Sequence, residues 1–490
     1  MENLEVLSKK IHEKKTAPVK IMQFGEGNFL RAFVDWLIQK MNDSGKYTGH
    51  VVVVQPLPQG RVADLAKQDG LYTLILQGIN EEGKAVKEHE VIDVIDDVVN
   101  PYTEYAKYLQ YAESKDLEVI VSNTTEAGIA YDERDTKIDL EKDTPISYPG
   151  KVLALLKHRY DVLGKDAGLA LIPCELIDDN GDKLKEVLNK LAVARNMDAD
   201  FIDYINNACH FTSTLVDRIV PGFPRDEFAD LCAQYGYVDN NMVKGEYFHL
   251  YVLKEESFVE EKFPVHQVGL HAIYVPDVHP YKQRKVRILN GTHTTLVPVA
   301  YLAGLNEVRE SLLNEEVSQF ILAELKEEIV PTVTTKDAQK FADDVIQRFL
   351  NPYVHHQLMS IALNSISKFK ERDLPTMLDD FAKGLVPSHM CFAMASLIKF
   401  YDGYRLVDGK KEEIKLADTP EYLVMFRKMW DNYYADKDVH AFVAEVLSTK
   451  EFWGQDLNAV AGFEAEVEKW LKVILDAPTQ MDAIKTFLGR

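Results

Sequence analysis

Residues 19–33 read V-K-I-M-Q-F-G-E-G-N-F-L-R-A-F. The stretch opens with an apolar run typical of a buried strand and continues, through Met41, into an amphipathic segment typical of a helix. In a dinucleotide-binding crossover, Gly25 would make the tight turn, Gly27 would let the backbone approach a pyrophosphate, and the helix N-terminus would stabilise its charge. Leu30 replaces the third glycine of that fingerprint, so a glycine pair in an ordinary strand-to-helix turn is the alternative interpretation.

The next apolar run supports the crossover. Residues 51–55 read V-V-V-V-Q, which is typical of a strand buried on both faces, and they lie at the usual distance for the second strand. Gln55 stands where an acid would bind the ribose, so NAD and NADP both remain open at this position. Arg61 is placed to meet a 2′-phosphate or is a surface-loop arginine. The cofactor contacts expected in this region are Phe24, Gly25, Glu26, Gly27, Asn28, Phe29 and Gln55.

A polar cluster follows another predicted strand. Residues 117–122 read L-E-V-I-V-S and run into N-T-T-E-A-G-I at 123–129. Ligands bind at the carboxyl edge of a parallel sheet, which is where this cluster should lie. Capping of the next helix by Thr124 or Thr125 is the alternative for the two threonines. The expected cofactor or proton-path contacts are Ser122, Asn123 and Glu126.

Composition limits the class of protein. The chain of 490 residues is too long for one hydrophobic core, and its 46% hydrophobic and 27% charged residues are ordinary for a globular protein. A net charge of −22 argues against nucleic acid or an anionic membrane as partner. Residues 1–20 lack a signal pattern and no apolar run matches a membrane span, so we expect a cytoplasmic protein. The four cysteines show no paired spacing, and we expect neither disulfides nor a metal site.

Hydrophobic patterning divides the chain into two parts. Up to about residue 277 short β-branched runs alternate with helical segments, whereas nearly everything after about residue 300 has helical periodicity. We therefore predict an α/β dinucleotide-binding domain over 1–277 and a helical substrate and catalytic domain over 278–490. Further strands are predicted at 72–77, 91–94, 169–174, 247–253 and 270–275. The last two of these are expected to enlarge a mostly parallel sheet.

The segment at 281–298, Y-K-Q-R-K-V-R-I-L-N-G-T-H-T-T-L-V-P, carries the clearest catalytic pattern. At roughly 100° per residue, Lys285, Asn290 and His293 fall within an arc of about 140° on a helix. A lysine that loses hydration among apolar neighbours can act as a base near neutral pH. An amide and an imidazole beside it suit proton transfer to and from a carbinol while a hydride moves. The four cations of the segment favour a small anionic substrate, and the alternative is a solvated charge run followed by an Asn-Gly turn.

Four segments, G-E-G-N-F-L-R-A-F, N-T-T-E-A-G, V-D-R-I-V-P and K-V-R-I-L-N-G-T-H, occur in this order along the chain. Together they resemble the long-chain mannitol dehydrogenase family of polyol and sugar-acid oxidoreductases. P-C-E-L-I-D-D-N-G at 173–181 and N-T-T-E-A-G-I resemble the members that act on sugar acids. The resemblance implies a Rossmann-type N-terminal domain with a mostly parallel sheet, an all-α C-terminal domain, no metal, and NAD as the hydride carrier.

The resemblance also implies roles for single residues. Lys285 matches the family's general base, Asn290 its oxyanion donor and His293 its substrate-orienting histidine, while Glu126 matches a glutamate on the nicotinamide side. Polyol dehydrogenases of the family have S-C-D-N where this chain has P-C-E-L. Leu176 therefore cannot supply their second oxyanion donor, so another donor must replace it or the amide at 290 acts alone.

Two later segments resemble family segments on the substrate side. They are N-P-Y-V-H-H at 351–356 and K-F-K-E-R at 368–372. An arginine suits the carboxylate of a sugar acid because its guanidinium can form two parallel hydrogen bonds. His356 and Arg372 are therefore candidate substrate contacts, although solvated helix faces carry such residues routinely.

Overall fold

A boundary between Val278 and His279 divides the chain into two units. The computed structural model describes residues 4–80, 82–125, 127–407 and 409–490. The first unit holds residues 4–80 and 84–278, and the second holds 279–490 together with 82 and 83. No helix among these described residues has the length and apolar character that crossing a bilayer requires.

The first unit alternates strands with helices. Its strands are β1 (Val19–Phe24), β2 (His50–Val54), β3 (Tyr72–Ile79), β4 (Ala85–Ile92), β5 (Ile95–Val99), β6 (Val119–Ser122), β7 (Ala170–Pro173), β8 (His210–Phe211), β9 (Thr214–Asp217), β10 (Val243–Glu246), β11 (Leu250–Lys254) and β12 (Ala272–Val275). Its α-helices are α1 (Asn28–Ala32), α2 (Val34–Asp43), α3 (Val62–Ala66), α4 (Tyr105–Gln110), α5 (Tyr148–Leu163), α6 (Asn180–Ala194), α7 (Ala199–Asp203), α8 (Phe228–Tyr235) and α9 (Ser257–Lys262).

The central sheet confirms the predicted Rossmann-type fold. Six strands pair in the order β5-β2-β1-β6-β7-β8, and every pairing is parallel. Successive side chains of a strand point to opposite faces, and the sheet accordingly has two separate cores. Ile21 and Val53 belong to the core that contains α2, whereas Met22 and Val52 belong to the core that contains α5.

Three details differ from the sequence-based expectation. The strands near 250 and 272 do not enlarge the central sheet, because β12, β11 and β9 form a sheet of their own, as do β10, β3 and β4. The run at 91–94 spans the end of β4 and the connection to β5, where a single strand was expected. The predicted helix after the glycine turn is broken at Phe33, which has φ −131° and ψ −72°.

In its described residues, the second unit is helical apart from one antiparallel strand pair, which the all-α expectation did not include. The pair is β13 (Tyr404–Val407) with β14 (Lys410–Glu413). Two segments, Lys285–Gly291 and Leu325–Ile329, are π-helices. The α-helices are α10 (His279–Arg284), α11 (Thr292–Leu302), α12 (Val308–Leu313), α13 (Glu315–Glu324), α14 (Ala338–Phe349), α15 (Leu358–Ile361), α16 (Ser365–Arg372), α17 (Leu374–Ala382), α18 (Ser388–Phe400), α19 (Pro420–Asp436), α20 (Val439–Ser448), α21 (Lys450–Trp453), α22 (Phe463–Asp476) and α23 (Gln480–Phe487).

Helix α18 forms the centre of the second unit. Ten of its residues are buried, from Met390 through Ile398 and at Phe400. It packs against α11 on one side and α22 on another. A helix that is apolar all round needs neighbours on every side, and α11 is therefore held rigidly by its position against this core.

Candidate active site

The glycine turn lies between the ends of β2 and β6. Gly25 N donates to Val54 O at 3.1 Å, and Asn123 N donates to Phe24 O at 3.2 Å. Gly25 has φ 121°, and a Cβ on it would lie 3.2 Å from Asn123 O and 3.3 Å from Leu30 Cδ1. The position therefore requires glycine, and buried Leu30 packs against it at the place of the missing third glycine.

Gly27 is needed for a different reason. A Cβ built on it meets no atom within 4 Å, so packing alone would tolerate a side chain there. The residue is the N-cap of α1 and lines a cavity of about 410 Å³ together with Glu26 and Asn28. Open space over this backbone is what the close approach of a dinucleotide pyrophosphate requires. The turn therefore fits the predicted cofactor.

Arg31 fixes the shape of the turn and was missed by the sequence analysis. Its buried guanidinium donates to Glu26 O at 3.2 Å, to Asn28 Oδ1 at 2.8 Å and to Asn241 O at 2.5 Å. One feature of the sequence could have predicted this role: Arg31 follows Gly27 by one helical turn on a helix face that is otherwise apolar. Three of its five N–H donors are used by neutral oxygens of the protein, so Arg31 shapes the cavity that it lines and keeps its positive charge there.

The other expected contacts near the turn point away from open space. Gln55 is buried, and its Nε2 donates to Leu57 O at 2.7 Å and Pro58 O at 3.1 Å. The Phe24 ring is buried 5.0 Å from the Tyr148 ring, which leaves only its backbone at the turn. These side chains fix the loops around the cavity.

Two further side chains near the turn are not buried: Phe29 is half-buried and Arg61 lies at the surface. Phe29 is half-buried, with its ring 5.2 Å from the ring of Phe33. Arg61 Nε pairs with Asp64 at 3.0 Å on the surface, and its backbone N donates to Glu26 Oε1 at 2.9 Å. This is the arrangement of the surface-loop alternative for the arginine.

A buried carboxylate joins the ends of β6 and β7. Glu175 Oε2 accepts from Ser122 Oγ at 3.0 Å, and its Oε1 accepts from both the backbone N and the hydroxyl of Thr124 at 2.9 Å. Burial raises the pKa of Glu175, and the hydrogen bonds oppose that rise. The sequence analysis missed Glu175, although an acid directly after a buried strand was a usable signal. It holds Ser122 and Thr124, the two neighbours of the predicted cofactor contact Asn123, at the edge of the sheet.

The conformation of the loop after β6 shows that the alternative for the two threonines, capping of the next helix, is wrong. Thr124 is bound to the carboxylate, and Thr125 has φ 75°, a left-handed conformation that is rare for a β-branched residue. The next helical segment begins only at Glu133, so neither threonine caps a helix. The predicted contact Glu126 lies outside the described residues. Leu176, the departure from the polyol dehydrogenase pattern, follows β7 with 61% of its surface exposed.

A π-helix carries the predicted catalytic lysine and asparagine. The segment Lys285–Gly291 lies between α10 and α11. A π-helix has a wider turn than an α-helix because its hydrogen bonds join residues five apart, so Lys285 and Asn290 lie about one turn apart on nearly the same face and are less spread around the axis than in a regular α-helix. Both are half-buried, while Ile288 and Leu289 between them are buried.

The neighbouring arginines are not a solvated charge run. Arg284 is 2% exposed, pairs with Asp337 and lies over the ring of Phe341 at 4.3 Å. Arg287 is 6% exposed and pairs with Asp379 at 2.7 Å. The alternative interpretation is therefore wrong for these two residues. The expectation that all four cations serve an anionic substrate is also corrected, because two of them are neutralised by structural partners.

The remaining predicted site residues of the second unit meet beside α11. The ring of His293 is stacked on Phe349 at 4.1 Å and meets the ring of His356 edge-on at 5.1 Å. Arg372 Nη1 donates to Thr294 Oγ1 at 3.2 Å. Burial lowers the pKa of His356, which favours the neutral imidazole. Sequence positions as far apart as 293 and 372 are thus brought together on one side of this helix.

Comparison with known families shows the family of the chain. Residues 19–267 match the mannitol dehydrogenase Rossmann domain, and residues 277–475 match the mannitol dehydrogenase C-terminal domain. The chain belongs to the mannitol dehydrogenase family. A member of the mannitol dehydrogenase family is an oxidoreductase that acts on CH–OH groups, so the observed glycine turn and lysine-bearing helix belong to an enzyme.

Relatives within the mannitol dehydrogenase family match nearly the whole chain. The altronate oxidoreductase of Phocaeicola vulgatus is 41% identical over 493 residues, which covers 99% of this chain and 100% of the relative. The altronate oxidoreductase of Bacillus subtilis is 40% identical over 476 residues, which covers 96% of both proteins. Identity at this level extends over both units of the chain.

Solved structures of more distant mannitol dehydrogenase-type enzymes share the fold. A substrate-free D-sorbitol dehydrogenase has a TM-score of 0.81 at 21% identity, covering 98% of this chain and 100% of its own. A Pseudomonas fluorescens mannitol 2-dehydrogenase in ternary complex with NAD and D-mannitol has a TM-score of 0.67 at 21% identity, covering 97% and 95%. These likenesses support the fold alone.

Proposed function

We propose that the protein is a tagaturonate reductase, also called altronate oxidoreductase, which interconverts D-tagaturonate and D-altronate with NADH and NAD in hexuronate catabolism. The observation that carries the proposal is the placement of Lys285 and Asn290 on nearly the same face of a π-helix, with His293 on α11, which continues it, and Arg372 of α16 bonded to α11 at Thr294. Full-length relatives at about 40% identity carry the name altronate oxidoreductase. The reaction exchanges a hydride and a proton between a ketone and a secondary alcohol.

The residues around the glycine turn fit NAD as the cofactor. The open backbone at Gly27 suits a pyrophosphate, and Ser122 and Asn123 lie at the carboxyl edge where a nicotinamide binds in this fold. The nicotinamide supplies the hydride when bound. Gln55 leaves both NAD and NADP open, while Arg61, the residue that could meet a 2′-phosphate, is paired with Asp64 on the surface. Because Arg61 is already paired and the family resemblance implies NAD, we assign NAD as the cofactor.

Lys285 and Asn290 divide the work at the reacting oxygen. In the reductive direction the Asn290 amide donates to the carbonyl oxygen and stabilises the negative charge that develops there. The protonated Lys285 amine gives its proton to the same oxygen, which completes the hydroxyl group. In oxidation the neutral amine removes the hydroxyl proton. Because one face of the π-helix presents both groups, a single oxygen atom can be reached by both.

The remaining groups orient the substrate. The His293 ring is held between Phe349 and His356, so it is fixed for a hydrogen bond to a substrate hydroxyl. We assign to Arg372 the carboxylate of the sugar acid, because a guanidinium can bind it with two hydrogen bonds. His356 provides a neutral imidazole beside them. A carboxylate-binding arginine favours hexuronates over neutral ketoses such as fructose.

Steady-state rates with NADH and three ketoses test this assignment. We expect tagaturonate to give the highest kcat/KM, with fructuronate lower and fructose lowest, because only the first two carry a carboxylate. A preference for fructuronate or fructose would move the enzyme to mannonate or mannitol formation. Substrate conversion without net NADH oxidation would instead indicate an epimerase that retains its NAD.

A further inference from the structure

Two carboxyl groups are sealed behind the helix that bears the catalytic residues. Asp373 is 1% exposed at the start of α17, and Glu324 is fully buried at the end of α13. Thr295 Oγ1 on α11 donates to Glu324 Oε2 at 2.9 Å. A Cβ built on Gly291 would lie 2.7 Å from Asp373 Oδ1, so that carboxyl group lies against the backbone next to Asn290.

Hydrogen bonding at this place is incomplete. Within the part of the chain that the structure describes, both oxygens of Asp373 and Oε1 of Glu324 have no hydrogen-bond partner. The same holds for the buried hydroxyl groups of Thr292 and Thr376. Buried polar groups left unsatisfied by protein atoms are normally satisfied by internal water or by an ion. Five orphaned oxygen atoms from three helices therefore mark a buried polar region, here called the chamber.

The charged groups around the chamber are mostly engaged elsewhere. Arg372 precedes Asp373, but its Nη1 donates to Thr294 Oγ1. Glu328, which faces Glu324 from the following π-helix, accepts from the backbone N and Nδ1 of His389 at 2.8 and 2.7 Å. No ion pair of Asp373 or Glu324 is found among the described residues, so two full negative charges in the chamber would be unfavourable.

Two acids on α17 complete the surroundings. Asp379 is paired with Arg287 of the catalytic π-helix at 2.7 Å. Burial raises the pKa of Asp380 to about 6, and Glu328 contributes to that rise. The environment of the chamber is thus acidic on the α17 side. Burial raises the pKa of both Asp373 and Glu324; the charge of Glu324 adds to the rise at Asp373, and the charge of Glu328 adds to the rise at Glu324.

We propose that Asp373 and Glu324 are positioning residues that act as uncharged carboxyl groups, with internal water, to hold Gly291 and Thr295 and so maintain the arrangement of the catalytic π-helix. An uncharged carboxyl group can donate one hydrogen bond and accept others, so it can bridge hydroxyl groups and backbone carbonyls. The inference rests on the proposed roles of the lysine and asparagine on that helix.

Asp373→Asn and Asp373→Ala test the proposal when compared by kcat, NADH affinity and melting temperature across pH. Asparagine keeps the shape of the side chain and removes the ionisable proton, so kcat at neutral pH should stay within about threefold of the parent value. Any loss of activity that ionisation of Asp373 causes in the parent at higher pH should be displaced to still higher pH in this variant. Alanine should lower kcat about 10- to 100-fold, because a displaced catalytic group costs rate steeply. NADH affinity should change in neither variant. Glu324→Gln should behave like the asparagine variant.

Exposed acids close in sequence to the two buried ones provide matched controls. Glu371→Gln and Glu327→Gln remove the same charge in water and should leave the pH profile unchanged. Because the pKa of Asp373 is raised above its unfolded-state value of 3.8, the folded protein loses stability as pH rises above that value, so the advantage in melting temperature of Asp373→Asn over the parent should grow as pH rises from there. That thermal measurement needs no substrate, and it remains decisive if the proposed function fails.

Three results would overturn the inference. Equal loss of kcat in the asparagine and alanine variants would mean that an ionised carboxylate is needed. A melting temperature of the parent raised by sodium, potassium, magnesium or calcium, and lost in Asp373→Asn, would mean that the chamber holds a metal ion. Identical pH profiles of kcat and stability in the parent and Asp373→Asn would mean that Asp373 is ionised throughout or plays no part.

Discussion

Glu175 accepts two hydrogen bonds through one carboxylate oxygen from Thr124, one from its backbone N and one from its hydroxyl, both at 2.9 Å. The other oxygen accepts from Ser122. A single side chain therefore joins the ends of two adjacent strands at the edge where we place the nicotinamide. Fixing the loop at 122–125 in this way positions its backbone before the cofactor arrives, which reduces the ordering cost of binding.

Replacement of Glu175 by alanine should weaken NADH binding about 10-fold or more, because the loop would lose three hydrogen bonds and leave their donors unpaired. Glu175→Gln keeps one acceptor oxygen and should show a smaller loss. Titration of NADH binding by fluorescence measures both. An unchanged affinity in the alanine variant would show that the loop is held without the carboxylate.

The two glycines of the turn should respond differently to alanine. Gly25→Ala forces a side chain into φ 121° and against Asn123, which should cost roughly 1–3 kcal/mol of stability. Gly27→Ala meets no neighbouring atom and should leave the melting temperature unchanged while weakening NADH binding. Thermal melts and NADH titrations of the two variants separate the effects. Normal NADH affinity in Gly27→Ala would remove the pyrophosphate from this position.

Asp35 should make the stability of the first unit depend on pH. Burial raises its pKa to about 7, although hydrogen bonds from Tyr72 and Gln23 oppose the rise. The folded protein keeps this proton up to about pH 7 while the unfolded chain releases it near 3.8, so the free energy of unfolding falls as pH rises between these values. The shift corresponds to roughly 4 kcal/mol.

Asp35→Asn should therefore flatten the dependence of chemical denaturation on pH, with its advantage over the parent growing from about pH 4 to about pH 7. Glu88→Gln on exposed β4 is the control and should leave the slope as it is. Parallel curves for the parent and Asp35→Asn would mean that Asp35 is ionised in the folded protein.

Arg372→Lys should raise KM for a hexuronate about 10-fold, because lysine cannot form the paired hydrogen bonds of a guanidinium. The rate with fructose, which has no carboxylate, should change much less. Kinetics on both substrates check this. Equal effects on the two would assign Arg372 to the packing of α16 against Thr294 and not to the carboxylate.

Local patterns predicted the parts of the site that depend on neighbouring residues. The crossover at 19–33 could be identified because its strand, turn and helix are consecutive. The grouping of Lys285, Asn290 and His293 could be identified because helical spacing is local, whether the helix is α or π. The π form itself could not be predicted from that spacing, since it depends on what packs against the helix.

Other parts of the site depend on residues far apart in sequence. Arg284 and Arg287 looked like a charged surface because their partners, Asp337 and Asp379, lie some distance along the chain. Glu175 acts by joining two strand ends, and β11 joins a separate sheet through pairing that no local signal encodes. These features could not be predicted from the sequence pattern because each depends on contacts between residues that are far apart along the chain.

Lys285→Ala tests the central claim most directly, with kcat for tagaturonate reduction and NADH affinity measured on the same preparation and exposed Lys336→Ala as the control. Loss of the proton donor should lower kcat about 10²- to 10⁴-fold while NADH affinity stays nearly unchanged. The control should match the parent in both measurements. Near-normal turnover by Lys285→Ala would contradict the account, because the proton would then reach the substrate oxygen from another group.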